Sequence, residues 1–234
     1  MIERYSRPEM AALWTDEHKF ATWLKVELAA CEAMAAAGLI PRRDWAAIRR
    51  KASFDVARIR RIEAEVRHDV IAFLTAVAER VGPAARHIHK GLTSSDVVDT
   101  ALAVNLVAAA DLLLAGVRNV RAAVAAQARK HAFTPMIGRS HGIHAEPTTF
   151  GLKMALMFDE FGRVERRLKA ARETVRVGKL SGAVGTHAHL DPKIERAVCR
   201  TLGLEPAAIS TQILQRDRHA EFVSALALAG ASVE

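Results

Sequence analysis

Apolar residues recur along the chain at three- and four-residue intervals and period-two alternation is nearly absent, so the pattern predicts an all-α protein with no strands required. Alanine and leucine, both strong helix formers, dominate the apolar set. From Asp16 to Ala37 the residues Phe20, Leu24, Leu28 and Cys31 fall on one face, and the pattern stops at Gly38 ahead of Pro41, the usual punctuation of a helix end. Shorter helices are predicted at 43–52, 54–65 and 70–81, the last broken by Gly82-Pro83. Ser94 or Ser95 then stands as the cap of a helical pattern that runs to about His131. Only Gly116 interrupts it, and at 1.5 Å per residue it is roughly 55 Å long. A second long pattern runs from near Thr148 to about Val177 through Leu152, Leu156, Phe161, Val164 and Leu168. Two such rods predict an elongated helical bundle. The segment 133–147 between them, with Pro135, Gly138, His141, Gly142, His144 and Pro147, is expected to be an irregular polar loop and not a mere hairpin turn. A small-residue loop at 178–190, a short helix at 191–202 and an apolar helix from Arg216 onward complete the pattern.

The chain has 234 residues, 50% hydrophobic and 26% charged, enough to bury a substantial core without disulfides. Its two cysteines, Cys31 and Cys199, lie far apart in apolar helical text, which offers neither a zinc spacing nor a disulfide framework and suits a reducing compartment. A polar N-terminus and the lack of any uninterrupted run of eighteen apolar residues argue against secretion and against a membrane span, so a cytoplasmic protein is expected. The formal net charge of +8 favours an anionic partner, be it nucleic acid, an acidic membrane or a polyanionic small molecule. Aromatics are 5% of the chain, with Tyr5 the single tyrosine, so stacking platforms for single strands are scarce.

Four clusters share a composition unlike the rest: Arg67-His68-Asp69, 87–96, 138–149 and 178–186, all rich in His, Arg, Ser, Thr and Gly. In Gly138-Arg139-Ser140-His141-Gly142 the glycines let backbone approach a ligand beside a cation, a hydroxyl and an imidazole, although His141 and His144 also read as hydrogen-bonded loop histidines. Thr93-Ser94-Ser95-Asp96, at the start of the long helix, offers hydroxyls and unpaired amides to an anion, or simply caps the helix. Arg67-His68-Asp69 likewise reads as a possible site or as a helix junction capped by Asp69. His87 and His89, and His141 and His144, match no metal-binding spacing, and no nucleotide-binding glycine loop occurs. Neither a metal nor a cofactor is expected.

Taken together these clusters resemble the adenylosuccinate lyases, within the fumarase and aspartase superfamily of tetrameric lyases. The resemblance spans the chain: MIERYSRPEM at 1–10, RHDV at 67–70, GLTSSDVVDT at 91–100, GRSHGIHAEPTTFGLK at 138–153, SGAVGT at 181–186 and ISTQILQRDRH at 209–219. It implies an N-terminal helical domain, here 1–93, followed by the first part of a long-helix bundle domain, here 94–234, in what would be an N-terminal portion of a homotetramer subunit. The implied reaction eliminates fumarate from adenylosuccinate, giving AMP, and from succinylaminoimidazole carboxamide ribotide, in purine biosynthesis. A base must take a proton beside a carboxylate, donors must hold the dianion and an acid must protonate the departing nitrogen. By the resemblance His141 is the proton donor and His68 orients it or binds substrate. Thr93 and Ser94 bind the succinyl side, Arg4, Tyr5, Arg67, His68, Asp69 and Gln212 contact the nucleotide, and His89 meets the phosphate. Ser140 stands where members more often carry threonine. The GSSxMPxKxN segment that carries the base serine in the family does not occur in these residues, so the chain alone is expected to be inactive. The same charge and helicity would also fit a non-catalytic assembly module or a nucleic-acid-binding bundle; the ordered motifs argue against both.

Overall fold

A computed structural model describes residues 2–234. In chain order its elements are α1 (Pro8–Ala12), α2 (Asp16–Ala36), α3 (Arg42–Lys51), α4 (Val56–Val66), α5 (Asp69–Val81), α6 (Ser94–Lys130), β1 (Pro135–Ser140) and β2 (Ile143–Thr149). They continue with α7 (Phe150–Val175), β3 (Val177–Gly178), α8 (Pro192–Leu202), β4 (Glu205–Pro206) and α9 (Asp217–Ala231). The architecture is all-α in its mass, with two short strand pairs added. The chain divides into two compact units, one of residues 2–109 with 176–216, the other of 110–175 with 217–234.

The first unit is built on an aromatic cluster. Phe20 stacks on Phe73 at 5.8 Å between ring centroids, and Trp23 meets both edge-on at 5.3 and 5.6 Å. Ile48, Ile59, Val77, Val97, Leu180 and Val198 extend this core from α3, α4, α5, α6, the loop after β3, and α8. On α2 the buried stripe is Phe20, Trp23, Val26, Glu27, Ala30, Cys31 and Met34, so the expected face is rotated: Leu24 and Leu28 are only partly buried. Capping fixes the ends, with Thr15 accepting from the His18 amide at 3.1 Å and Asp55 from the Arg58 amide at 2.6 Å. Both cysteines are buried here, and burial first, a neighbouring carboxylate second, pushes each thiol up to about 12.

The second unit holds the remainder of α6, the hairpin, α7 and α9. Helix α7 starts tight against the end of α6: a Cβ on Gly151 would lie 2.6 Å from Ala132 Cα and 2.7 Å from two carbonyl oxygens. Farther along α7, Glu165 is held at 2.7 Å by Lys169, 2.5 Å by Arg121 and 3.4 Å by Arg118, and these cations draw its carboxyl down to about 2.

The expectation for the segment between the long helices is corrected. Residues 133–147 are not an irregular loop, because β1 and β2 pair antiparallel from Pro135↔Thr149 to Ser140↔Ile143, with an irregularity between Ile137 and Arg139. Also, α6 contains an 18-residue stretch of mean hydropathy 1.9 that is long and apolar enough by composition to cross a membrane, although no uninterrupted run exists. Within the first unit this helix nonetheless carries Asn105, bonded to His18 and Thr22, and Asp99, paired with Arg216.

Candidate functional site

The start of α6 gathers Thr93, Ser94 and the segment bearing Gln212 from among the sequence-derived candidates of the first unit. Helix α6 begins at Ser94, so Thr93 occupies the cap position expected of Ser94 or Ser95. The Asp96 carboxylate accepts from the Thr93 amide at 2.9 Å, which is one half of a capping box. That same carboxylate does more than cap: the amides of Ser181 and Gly182 donate to it at 3.2 Å each, and Lys179 Nζ forms an ion pair with it, both side chains fully buried. Thr100 Oγ1 accepts from the Lys179 amide at 3.0 Å and donates to its carbonyl at 2.9 Å. The loop after β3 is thereby fixed to the first turns of α6.

A third segment joins them. Asp99 accepts from the Leu214 amide at 2.8 Å and pairs with Arg216 at 3.1 Å, while Ser210 and Ser181 hydroxyls lie 2.7 Å apart. Gly185 makes this approach possible, because at φ +82° a Cβ there would stand 2.0 Å from the Ser210 carbonyl oxygen. Thr93, Ser94, the 181–185 loop and the segment bearing the exposed Gln212 thus form one hydrogen-bonded group. Among the described residues the hydroxyls of Thr93 and Ser94 have no hydrogen-bond partner and are only partly buried, which leaves them available to a ligand.

His89 lies on the connection into α6 at φ 62°. Its Nδ1 is 2.6 Å from Oε1 of the buried Glu27, whose Oε2 takes the His89 amide at 3.0 Å, so Nε2 is the nitrogen left for a ligand. Beside it Lys90, Gly91, Leu92, His189 and Leu190 line an open cavity of about 500 Å³. At the α4–α5 junction Arg67 is left-handed at φ 55° and ends α4. His68, and not Asp69, caps α5: its Nδ1 accepts from the Ile71 amide at 3.3 Å, which puts the proton of the neutral ring on Nε2. Asp69 instead accepts from the Val70 amide at 2.7 Å. Arg4 and Tyr5 lie in a 3-10 turn, the guanidinium 4.7 Å from the ring centre. Among the described residues no hydrogen bond or ion pair ties Arg4, Tyr5 or Arg67–Asp69 to the group around Thr93.

His141 belongs to the second unit. It and Gly142 form the two-residue connection between β1 and β2, with φ of 53° and 75°, the two positive angles that a type I′ turn demands. The imidazole is exposed at the hairpin tip, and Arg139 and Ser140, beside it on β1, are exposed as well. Of the four described non-glycine residues with positive φ, Arg67, His89 and His141 fall inside the compositional clusters and His187 one residue beyond the last of them, the kind of backbone strain that concentrates at functional sites. Sequence reasoning passed over Glu27, Lys179 and Asp99. The available signal was a charge at a stripe position: Glu27 follows Phe20 and Trp23 at helical spacing and is 1% exposed. Among the described residues no cluster of three His, Cys, Asp or Glu could hold a metal ion.

Comparison with known proteins gives a consistent picture. A family model described as Lyase matches residues 3–234. Adenylosuccinate lyases of Synechocystis sp., Bacillus subtilis and Staphylococcus saprophyticus are 56%, 53% and 50% identical over all 234 residues. The chain spans about half the length of these curated relatives, 54% of each. Among solved structures, a fumarate lyase from Mesorhizobium sp. BNC1 superposes with a TM-score of 0.89 at 33% identity, covering 95% of this chain and 54% of that one. A 3-carboxy-cis,cis-muconate lactonizing enzyme from Pseudomonas putida gives 0.88 at 31%, covering 97% and 54%.

Proposed function

Because the chain belongs to the lyase family whose model runs through residues 3–234, we propose that it works as part of an adenylosuccinate lyase, eliminating fumarate from adenylosuccinate and from succinylaminoimidazole carboxamide ribotide. The observation that carries this reading is identity of 50–56% to adenylosuccinate lyases along every residue of the chain. The division into an N-terminal helical domain at 1–93 and the first part of a long-helix domain at 94–234 belongs to the same reading, as do a homotetramer and a cytoplasmic location.

The roles follow from chemistry. Proton abstraction beside a carboxylate creates a dianion, and hydroxyls with amides at the start of a helix are suited to hold it. Thr93 and Ser94 take that part, supported by their unpartnered hydroxyls at the head of α6. His141 protonates the departing nitrogen, its imidazole displayed by the I′ turn. His68 offers an Nε2 proton for orienting it or for binding substrate. His89 Nε2 meets the phosphate, held in place by Glu27, and Arg4, Tyr5, Arg67, Asp69 and Gln212 contact the nucleotide. A ligand with one phosphate and two carboxylates calls for several cations, which fits the charge of +8 better than nucleic acid does in a chain with few aromatics. The polar and charged partners of α6 within the first unit support a reading without a membrane.

The test is absorbance-monitored conversion of adenylosuccinate to AMP and fumarate. Protein from the complete coding frame is expected to turn over, and the 234-residue chain is expected to be essentially inactive, since a positioned base is felt in the chemical step. Turnover by the 234-residue chain near that of a complete enzyme would mean that the base lies within these residues, and the roles would have to be reassigned.

A further inference from the structure

We propose that the buried Asp96–Lys179 pair is a positioning device that holds the Thr93-Ser94 turn and the 181–185 loop in one fixed relation, so that both present a single edge to the carboxylates of the substrate. The inference rests on the lyase reading for its substrate. It concerns residues that never touch that substrate.

Both side chains are 0% exposed, so neither reaches a ligand directly. A cap for α6 would need one acceptor for one amide. Asp96 instead collects four donors from three places: the Thr93 amide, the Ser181 and Gly182 amides, and Lys179 Nζ. A carboxylate is acceptor-only and has room for that many, whereas an asparagine at 96 would turn a donor toward other donors. Lys179 in turn reaches the Gly182 carbonyl at 3.4 Å, and its own backbone is held from both sides by Thr100. One ion pair therefore sets the heading of two backbone segments that are far apart in sequence. Buried ion pairs give little net stability compared with apolar replacements, so this one is better accounted for by the geometry it specifies.

The experiment uses protein from the complete coding frame with Asp96→Asn, Lys179→Met and the double variant. Each single variant leaves a buried charge or dipole unmatched and is expected to lower Tm; the double variant removes both charges and is expected to regain part of that loss, the amide introduced at position 96 still facing backbone donors. Function should not follow stability. In every variant kcat/KM for adenylosuccinate is expected to stay lowered by about tenfold or more, the weight of a charge-assisted hydrogen bond, with part of the loss in kcat because Thr93 and Ser94 hold the dianion. A double variant that regains both Tm and kcat/KM would show a merely structural pair and overturn the proposal. Hydrogen exchange on the unmutated protein gives an answer that does not depend on variants folding. The amides of Thr93, Ser181 and Gly182 should be protected together and gain protection together when fumarate is added. Free exchange at Ser181 and Gly182 beside a protected Thr93 would overturn the inference even in an active enzyme. An unmutated protein that leaves adenylosuccinate untouched would instead sink the lyase reading, with the exchange rates still deciding whether the pair fixes the two segments.

Discussion

His141 sits at a turn that dictates how it can be probed. Its φ of 53° tolerates asparagine well and alanine less so, which makes His141→Asn the cleaner replacement. In protein from the complete coding frame this change should lower kcat by about 10² to 10⁴, the usual weight of a general acid, with the thermal unfolding curve unmoved because the ring is exposed and unpacked. Unaltered kcat would remove His141 from the mechanism. Glu165 is a structural counterpart. Lys169, Arg121 and Arg118 hold its carboxyl at about 2, below the ordinary 4.5, so the folded state is favoured in full above 4.5 and that contribution is lost as pH falls toward 2. Circular dichroism between pH 5 and pH 2 should therefore show a shallower acid loss of helix for Glu165→Gln than for the parent, and parallel curves would contradict this.

At the level of elements, the steric role of one glycine can be separated from its backbone role. Gly38 and Gly185 both have positive φ, +76° and +82°, yet a Cβ at Gly38 meets nothing within 4 Å while one at Gly185 collides with the Ser210 carbonyl. Gly38→Ala should cost about 1–2 kcal/mol, the left-handed penalty alone. Gly185→Ala should add about 1–3 kcal/mol of overpacking and loosen the Ser181–Ser210 contact. Urea unfolding of the two variants checks the difference. The helices were legible from spacing because a 3.6-residue period leaves a strong mark, and α2, α5 and α8 fall close to their expected bounds. The hairpin was not legible: prolines at both ends of it and a register irregularity after Ile137 blur the alternation, leaving only His141-Gly142 as a turn signal. On α7, periodicity pointed to one continuous face, but Phe161, Val164 and Leu168 are buried while Leu152 and Leu156 are 65% exposed, since the pattern records apolarity and not what covers it. Thr93, Ser94 and Gln212 were found through motifs. Lys179 was hidden, because a lone charge beside small residues reads as solvated until Asp96 is seen opposite it.

For the whole molecule, the second unit leaves Leu112, Val120, Leu152, Leu156, Val223 and Leu228 exposed on its three helices, apolar positions of the kind that a partner subunit covers. Light scattering at micromolar concentration should report a dimer or tetramer, and a well-folded monomer would contradict the tetrameric reading. The cysteines carry a different consequence. Both lie in the first unit with their thiols pushed up to about 12, and the thiolate is the form that reacts with alkylating reagents. In the native state the chain is thus a blank for maleimide chemistry, so each labelled thiol counts one opening of the first unit. A cysteine placed by mutation on an exposed site of the second unit would carry a fluorophore alone, letting a single-molecule experiment follow one unit while the other's opening is counted by mass.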